Sequence, residues 1–508
     1  TTQQGFAPDA LIYAANDYSL DALEWAITGK EARVVNQSWH TAEDWSSSSL
    51  TYPDILKDYL VLHYPYPFIT SASGNWWAGD GESGGTGTAA GGDKEYVNHK
   101  GYNYISVGNH QDFVGGNPNG MINGTVWLNP VTSHNDRELP EMSANGTSVT
   151  WNNEARGSGT SFSSPAVAGT ALLLQNADNA LLYWPEGIRA ILLAGAITNV
   201  RDNNWTTDTG DNGAVSGTHA GAKTSTQDGA GALNTQESMR ITIKTINSGR
   251  QSRNNNPKPR GWDCGTLKDS DFTDDNYVSY YIGVPNFGTN NSTQVKVALT
   301  WNSEIITYGD YFPQLNTILD ILGISDQPVM STLTLDHDLY VYDESGRLVS
   351  FSTSWDNSYE IVDFTGQRGA IYEIRIKRHS GSGNTWYGIA WTSGDGMWYR
   401  LISILQQFDL TIPNISAITN IQTNNLNNIE FGGNLLTNIQ YIISRLNTTY
   451  IIDCDNIFRY NSDDISEDTI ISFNANKLEG YFRRRSLTDL QLLKFDVVNN
   501  NWTPVSAK

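Results

Sequence analysis

Ser161 lies in the run Gly159-Thr160-Ser161-Phe162-Ser163-Ser164-Pro165, where a hydroxyl, a glycine and a helix start coincide. A serine hydroxyl is a poor nucleophile. It needs a base to take its proton and donors to hold the oxyanion that forms. Gly159 permits close approach of a substrate backbone. Ser161 at the start of a helix turns its own N–H and the positive helix end toward developing negative charge. The plain structural alternative is a capped helix start, because Gly-Thr-Ser alone is a common tripeptide.

A second group with chemical potential is Asp336, Asp338 and Asp343, in Asp336-His337-Asp338-Leu339-Tyr340-Val341-Tyr342-Asp343-Glu344-Ser345-Gly346. Three carboxylates around a strand start and its turn suit the oxygen ligands of calcium. They equally suit ordinary turn chemistry, which favours Asp. The aromatic group Trp355, Tyr359, Trp386, Tyr387 and Trp391 reads either as a carbohydrate-stacking face or as β-sandwich core. Cys264 and Cys454 lack CxxC spacing, so they pair once or stay as buried or free thiols. The glycines from Gly79 to Gly92 lack the Lys-Ser/Thr of a phosphate loop, and Arg483-Arg484-Arg485 is isolated in an acidic chain.

The elements that must position these groups change along the chain. Residues 1–237 alternate short apolar strands (10–15, 33–38, 67–72, 104–107) with helices (20–27, 165–175, 185–193). This is the pattern of an α/β domain with a parallel sheet. Residues 238–398 alternate with period two, as in Val295–Trp301, Asp338–Tyr342 and Tyr372–Lys377, and imply an all-β sandwich of jelly-roll type. Residues 399–508 are poor in Gly and rich in Ile and Asn. They form a third module, with helical stretches expected in 410–450 and strands in 470–502.

At 508 residues with 39% hydrophobic content the chain is long enough for such a multidomain core. A formal charge of −22 argues against nucleic acid and anionic membranes as partners. No apolar run reaches the roughly 20 residues of a transmembrane helix. Sequons at Asn36, Asn123, Asn145, Asn204, Asn290, Asn291, Asn414, Asn447 and Asn501 suit a glycosylated, secreted protein. The start at Thr1, without Met or signal peptide, reads as a processed or incomplete chain.

Gly159 through Gly169 resembles the serine motif of the subtilisin-like serine proteases, with Pro165, Val167, Ala168 and Gly169 in place. Other stretches resemble that family in order. Ala7–Ala14 is similar to the strand after its histidine helix, Val34–Ser38 to the strand lining its cleft, and Ser71–Asn75 to its oxyanion segment. Asp136–Glu141 with Ala144-Asn145-Gly146 is similar to the region before the serine, and Gly229–Asn234 to the domain end. The resemblance implies Ser161 as nucleophile and Asn75 as oxyanion donor. It implies a peptide or protein substrate bordered by Ser38, Trp39, Ser73, Gly74 and Gly159, with Trp39-His40 narrowing the cleft. The Asp336–Gly346 stretch also resembles a signature of β-sandwich domains appended to secreted proteases.

In that family the order is Asp, His, Ser. The Asp and His motifs belong upstream of Ala7, and none of His40, His63, His99, His110, His134, His219, His337 or His379 is followed by Gly-Thr. Two functions are therefore expected. One is a secreted endopeptidase acting through Ser161, its Asp and His carried on an upstream or separate N-terminal fragment. The other is an inactive subtilisin-like structural or assembly subunit of an extracellular structure, capable of self-assembly. A glycan-binding module is a third, resting on the aromatic group alone.

Overall fold

The computed structural model describes residues 7–15, 17–40, 46–75, 96–111, 119–121, 129–147, 149–151, 154–197, 229–245, 247–273, 276–285, 292–393, 448–453, 456–461, 480–485, 490–496 and 501–504. The chain divides into two units, Thr1–Ser403 and Ile404–Lys508.

The first unit opens with α1 (Leu20–Glu24), capped by Ser19 and prolonged by a π-turn over Trp25–Gly29. Then come β1 (Val34–Gln37), α2 (Tyr52–Val61), β2 (Phe68–Ala72), β3 (Ile105–Gln111), β4 (Asn119–Met121) and β5 (Met142–Asn145). Strands β1, β2 and β3 pair in parallel, β5 joins β3 in parallel, and β4 lies antiparallel on the end of β3. Side chains alternate across each strand. Val34 and Phe68 therefore face one core, and Val35 and Ile69 the other, beneath α1 and α2. The hairpin β6 (Val149–Trp151) and β7 (Glu154–Gly157) leads into α3 (Thr160–Ala177), which lies against β1, β2, β3 and β5.

The apolar stretch 10–15 does not form the expected strand. Leu11 and Ile12 are 78% and 81% exposed, and among the described residues β1 pairs with β2 alone. Apolar content gives a segment the means to pair but not a neighbour to pair with.

Helix α4 (Pro185–Gly195) and α5 (Thr235–Thr242) precede the sandwich strands. These are β8 (Arg260–Leu267), β9 (Val278–Gly283) and β10 (Ser292–Trp301), then β11 (Glu304–Thr307), α6 (Tyr308–Tyr311), α7 (Asn316–Leu322) and β12 (Pro328–Thr332). The series ends with β13 (Asp336–Asp343), β14 (Leu348–Ser352), β15 (Tyr359–Gln367), β16 (Ile371–Ser380) and β17 (Thr385–Ser393). One antiparallel sheet has the order β15-β10-β17-β8 and the other β14-β13-β16-β9. The α/β layer and the sandwich, separated at 237/238 by composition, share a core. On β10, Val295, Val297, Leu299 and Trp301 fill the sandwich, while Ala298 joins the α4 side. Tyr359, Tyr387 and Trp391 are core residues, and Trp386 packs on Tyr66 and Trp184. Three of the five aromatic residues thus belong to the core, while Trp355 and Trp386 are half-buried. Cys264 is a buried free thiol, and Cys454 lies outside the described residues.

In the second unit β18 (Thr448–Asp453) and β19 (Asn456–Asn461) form a hairpin. Strands β20 (Gly480–Arg485), β21 (Leu490–Asp496) and β22 (Asn501–Pro504) form an antiparallel sheet. Most of the stretch expected to be helical lies outside the described residues, and its end, Thr448–Tyr450, is strand.

Two consequences concern the shared core. A Cβ on Gly388 would sit 2.3 Å from Glu186 O and 2.6 Å from Gly187 N, both backbone atoms. Gly388→Ala is expected to push β17 off α4 and cost about 1–3 kcal/mol, read as a fall in Tm. The carboxyl of Glu186 is pushed up from 4.5 to about 7 by burial. The folded state then holds a proton that the unfolded chain releases, so this group's contribution is complete below about 4.5 and lost as pH rises to 7. Calorimetry should therefore show Glu186→Gln gaining on the wild type across that interval, up to about 3 kcal/mol. A pH-independent gap between the two proteins would refute it.

Candidate active site

Helix α3 begins where several strand ends converge. Ser38 follows β1, Gly74 and Asn75 follow β2, Asn109 lies near the end of β3 and Gly146 follows β5. These are carboxyl ends of parallel strands, where open α/β sheets bind their ligands. Glycine is required at Gly146 by close approach: a Cβ there would lie 2.4 Å from Gly159 O and 2.3 Å from Ser163 Oγ. Gly159 N in turn donates to Gly146 O at 2.9 Å.

Asn75 is held by the first residue of the helix. Its Oδ1 accepts the Thr160 N–H at 2.8 Å, and Thr160 Oγ1 accepts from Gly74 N at 3.2 Å while donating to Gly74 O at 2.8 Å. Only the carbonyl oxygen of the amide accepts an N–H, so the Asn75 NH2 group is the end left to donate. Asn75 is exposed, and Ser161 is half-buried beside it. Ser161 is the second helical residue, so its N–H has no acceptor within the helix. Two donors therefore flank the serine, as an oxyanion requires.

Pro165 explains the position of Ser38. Proline at the fourth residue after Ser161 has no N–H for the Ser161 carbonyl. Ser38 Oγ donates to Ser161 O at 3.0 Å instead, and Ser161 Oγ donates to Ser38 O at 3.3 Å. The Ser161 hydroxyl thus donates to a carbonyl, not to an imidazole. His63, His99, His110 and His134 are engaged with Tyr59 O, Trp39 O, Ser143 Oγ and Asp356. Burial holds His99 and His110 well below the ordinary histidine range, with Lys57 and Lys100 adding to the effect on His99.

The structure thus brings Ser161, Asn75, Ser38, Gly74 and Gly159 together. Trp39 is half-buried, with its carbonyl taken by Gln37 and His99. Ser73, expected to border the substrate, is fully buried. Its N–H goes to Val107 O and its C=O accepts from Asn98 N, so its backbone is spent inside the protein. Thr160, Asn109 and Gly146 were not singled out from sequence as site residues. Their roles arise from contacts between distant strands, which local spacing does not encode.

The expected calcium group is also rearranged. Asp343 sits at the far end of β13, where its carboxylate accepts from Ser345 and from Arg347, which hold its pKa down to about 2. Asp336 and Asp338 are joined instead by His379.

Residues 6–231 match the model of the subtilase family, Peptidase_S8. This segment is a subtilase domain. No curated protein sequence matches the chain. Among solved structures, the pre-peptidase C-terminal domain of a collagenase from Bacillus anthracis matches at 10% identity, over 26% of this chain and 87% of its own, with a TM-score of 0.16. Tripeptidyl peptidase 2 matches at 12% identity over 73% of this chain, with a TM-score of 0.25, and the chain spans 36% of its length. Among the described residues, no helix is long and apolar enough to cross a membrane.

Within the subtilase domain, the clasp on Asn75 is open to direct test. Thr160→Val leaves the buried Gly74 N–H and C=O without their partner and should lower stability by about 1–3 kcal/mol. Thr160→Ser should recover most of the loss in a thermal melt, and a Val variant as stable as wild type would contradict the assignment.

Proposed function

We propose that this chain is the serine-bearing part of a secreted subtilisin-like endopeptidase that hydrolyses peptide bonds through Ser161. The observation that carries the proposal is the joint placement of Ser161 and Asn75 at the start of α3. Ser161 Oγ attacks the substrate carbonyl, and the Asn75 NH2 group with the Ser161 N–H holds the resulting oxyanion. Asp and His come from an upstream or separate segment. Support for that lies at the sheet edge: among the described residues β1 pairs with β2 alone, and Leu11 and Ile12 are exposed. An added strand satisfies such an edge and covers apolar side chains. The acidic composition and the sequons, including the exposed Asn36, favour an extracellular setting.

The bond from Ser161 Oγ to Ser38 O favours a second reading, an inactive scaffold for assembly. A fluorophosphonate probe separates the two. The full gene product should label at Ser161, Ser161→Ala should abolish labelling, and Asn75→Ala should lower kcat by about 10²–10³, a magnitude taken over from subtilisin's own oxyanion asparagine. A full product that never labels and elutes as a large assembly supports the scaffold instead.

A further inference from the structure

We propose that Asp336, Asp338 and His379 bind a divalent transition-metal ion at the end of β13 and β16. Asp336 and Asp338 alternate with His337 along β13, so both carboxylates leave one face. His337 leaves the other and is buried between Phe272 and Trp301. The pairing of β13 with β16 shifts register here: Asp336 faces Ser380 and His337 faces Arg378. His379 is the residue left unopposed, and a bulge of this kind re-aims a side chain. One donor atom each from Asp336, Asp338 and His379 lies within 4.8 Å of the others. That spacing suits ligands of a single ion, whose bonds run to about 2.0–2.2 Å for zinc.

A second observation marks the cluster as a binding site. Asp336 is 7% exposed, and its Oδ1 has no hydrogen-bond partner. A buried carboxylate oxygen without a donor is uncommon unless something positive completes it. Asp338, Asp136, Asp356 and the buried Glu360 gather further carboxyl groups around Asp336. A bound cation suits such a gathering of carboxyl groups.

The donor set selects the class of ion. Calcium collects six to eight oxygens, whereas an imidazole beside carboxylates suits zinc and its transition-metal neighbours. Trp355 packs edge-on against the His379 ring, at 4.4 Å between centroids, and fixes its direction. His379 keeps 39% of its side chain exposed, which gives the ion an entry path. The site also adjoins the seam between the α/β layer and the sandwich. There Asp136 accepts from Trp355 N and Asp356 N at 2.8 and 2.9 Å, and Asp356 accepts from Thr132 and His134. An ion beside those carboxylates tightens the seam.

The test is calorimetric titration of Zn2+ into the full chain after chelator treatment. One site is expected, weakened at least about tenfold by Asp336→Asn and by His379→Ala, and Zn2+ should raise the Tm of wild type but not of His379→Ala. His379 is partly exposed, so its variant decides the matter even if Asp336→Asn misfolds. No Zn2+ uptake by wild type, uptake indifferent to His379→Ala, or Ca2+ uptake that His379→Ala leaves untouched would each overturn the assignment.

Discussion

Helix α4 is enclosed on every side, and the architecture of the first unit follows from that enclosure. All eleven of its residues are buried, including Glu186 and Arg189. A helix buried all round must present small or apolar groups in every direction and satisfy each polar exception. Toward the sandwich the fit depends on Gly388, Ala298 and Ala390, whose small side chains let the sheet approach the helix backbone. Several of the exceptions are answered across the same surface, although Glu186 Oε2 and Arg189 Nε have no hydrogen-bond partner. Thr300 Oγ1 donates to Glu186 O at 2.8 Å, Asn302 donates to the Glu186 carboxyl, and Arg189 donates to Trp301 O and Ser358 Oγ. The subtilase domain therefore has no solvent-facing wall on this side, and the sandwich completes its core.

That dependence reaches the site through α3. The apolar cluster that holds α4 also holds Val167, Ala171 and Leu174 of α3, with Phe68 and Ile105 from the sheet. Its first turn is fixed separately, by polar contacts from the strand ends. Pro165 removes one helical hydrogen bond and Ser38 supplies the replacement, so the residue that follows β1 sets the height of Ser161. Thr160 and Asn75 lock the other side. Core packing sets where the helix lies, and these few bonds set which way its first residues face.

Legibility in the sequence followed the range of the interaction involved. The Gly159–Gly169 run and the period-two strands β10, β13 and β16 are local patterns, and their structures agree with them. Period two could not reveal that both faces of β10 are covered, because Ala298 and Val297 are each compatible with a half-exposed strand. Residues 10–15 have a strand's composition without a strand's partner. Asp343 has the spacing of a ligand, yet its own turn occupies it, while His379 arrives beside Asp336 only through the register shift of a distant strand. Ser73 looked like cleft lining because it precedes Asn75, and pairing across the sheet buried it.

The contacts that orient Ser161 are ones the fold needs whether or not chemistry occurs. Ser38 answers a carbonyl orphaned by Pro165, Thr160 caps the junction with β2, and Gly146 makes room for Gly159. Loss of any of them disturbs the helix start before it disturbs a reaction. The sheet edge behaves differently. Among the described residues β1 pairs with β2 alone, and an edge strand is a liability that folded proteins blunt or cover.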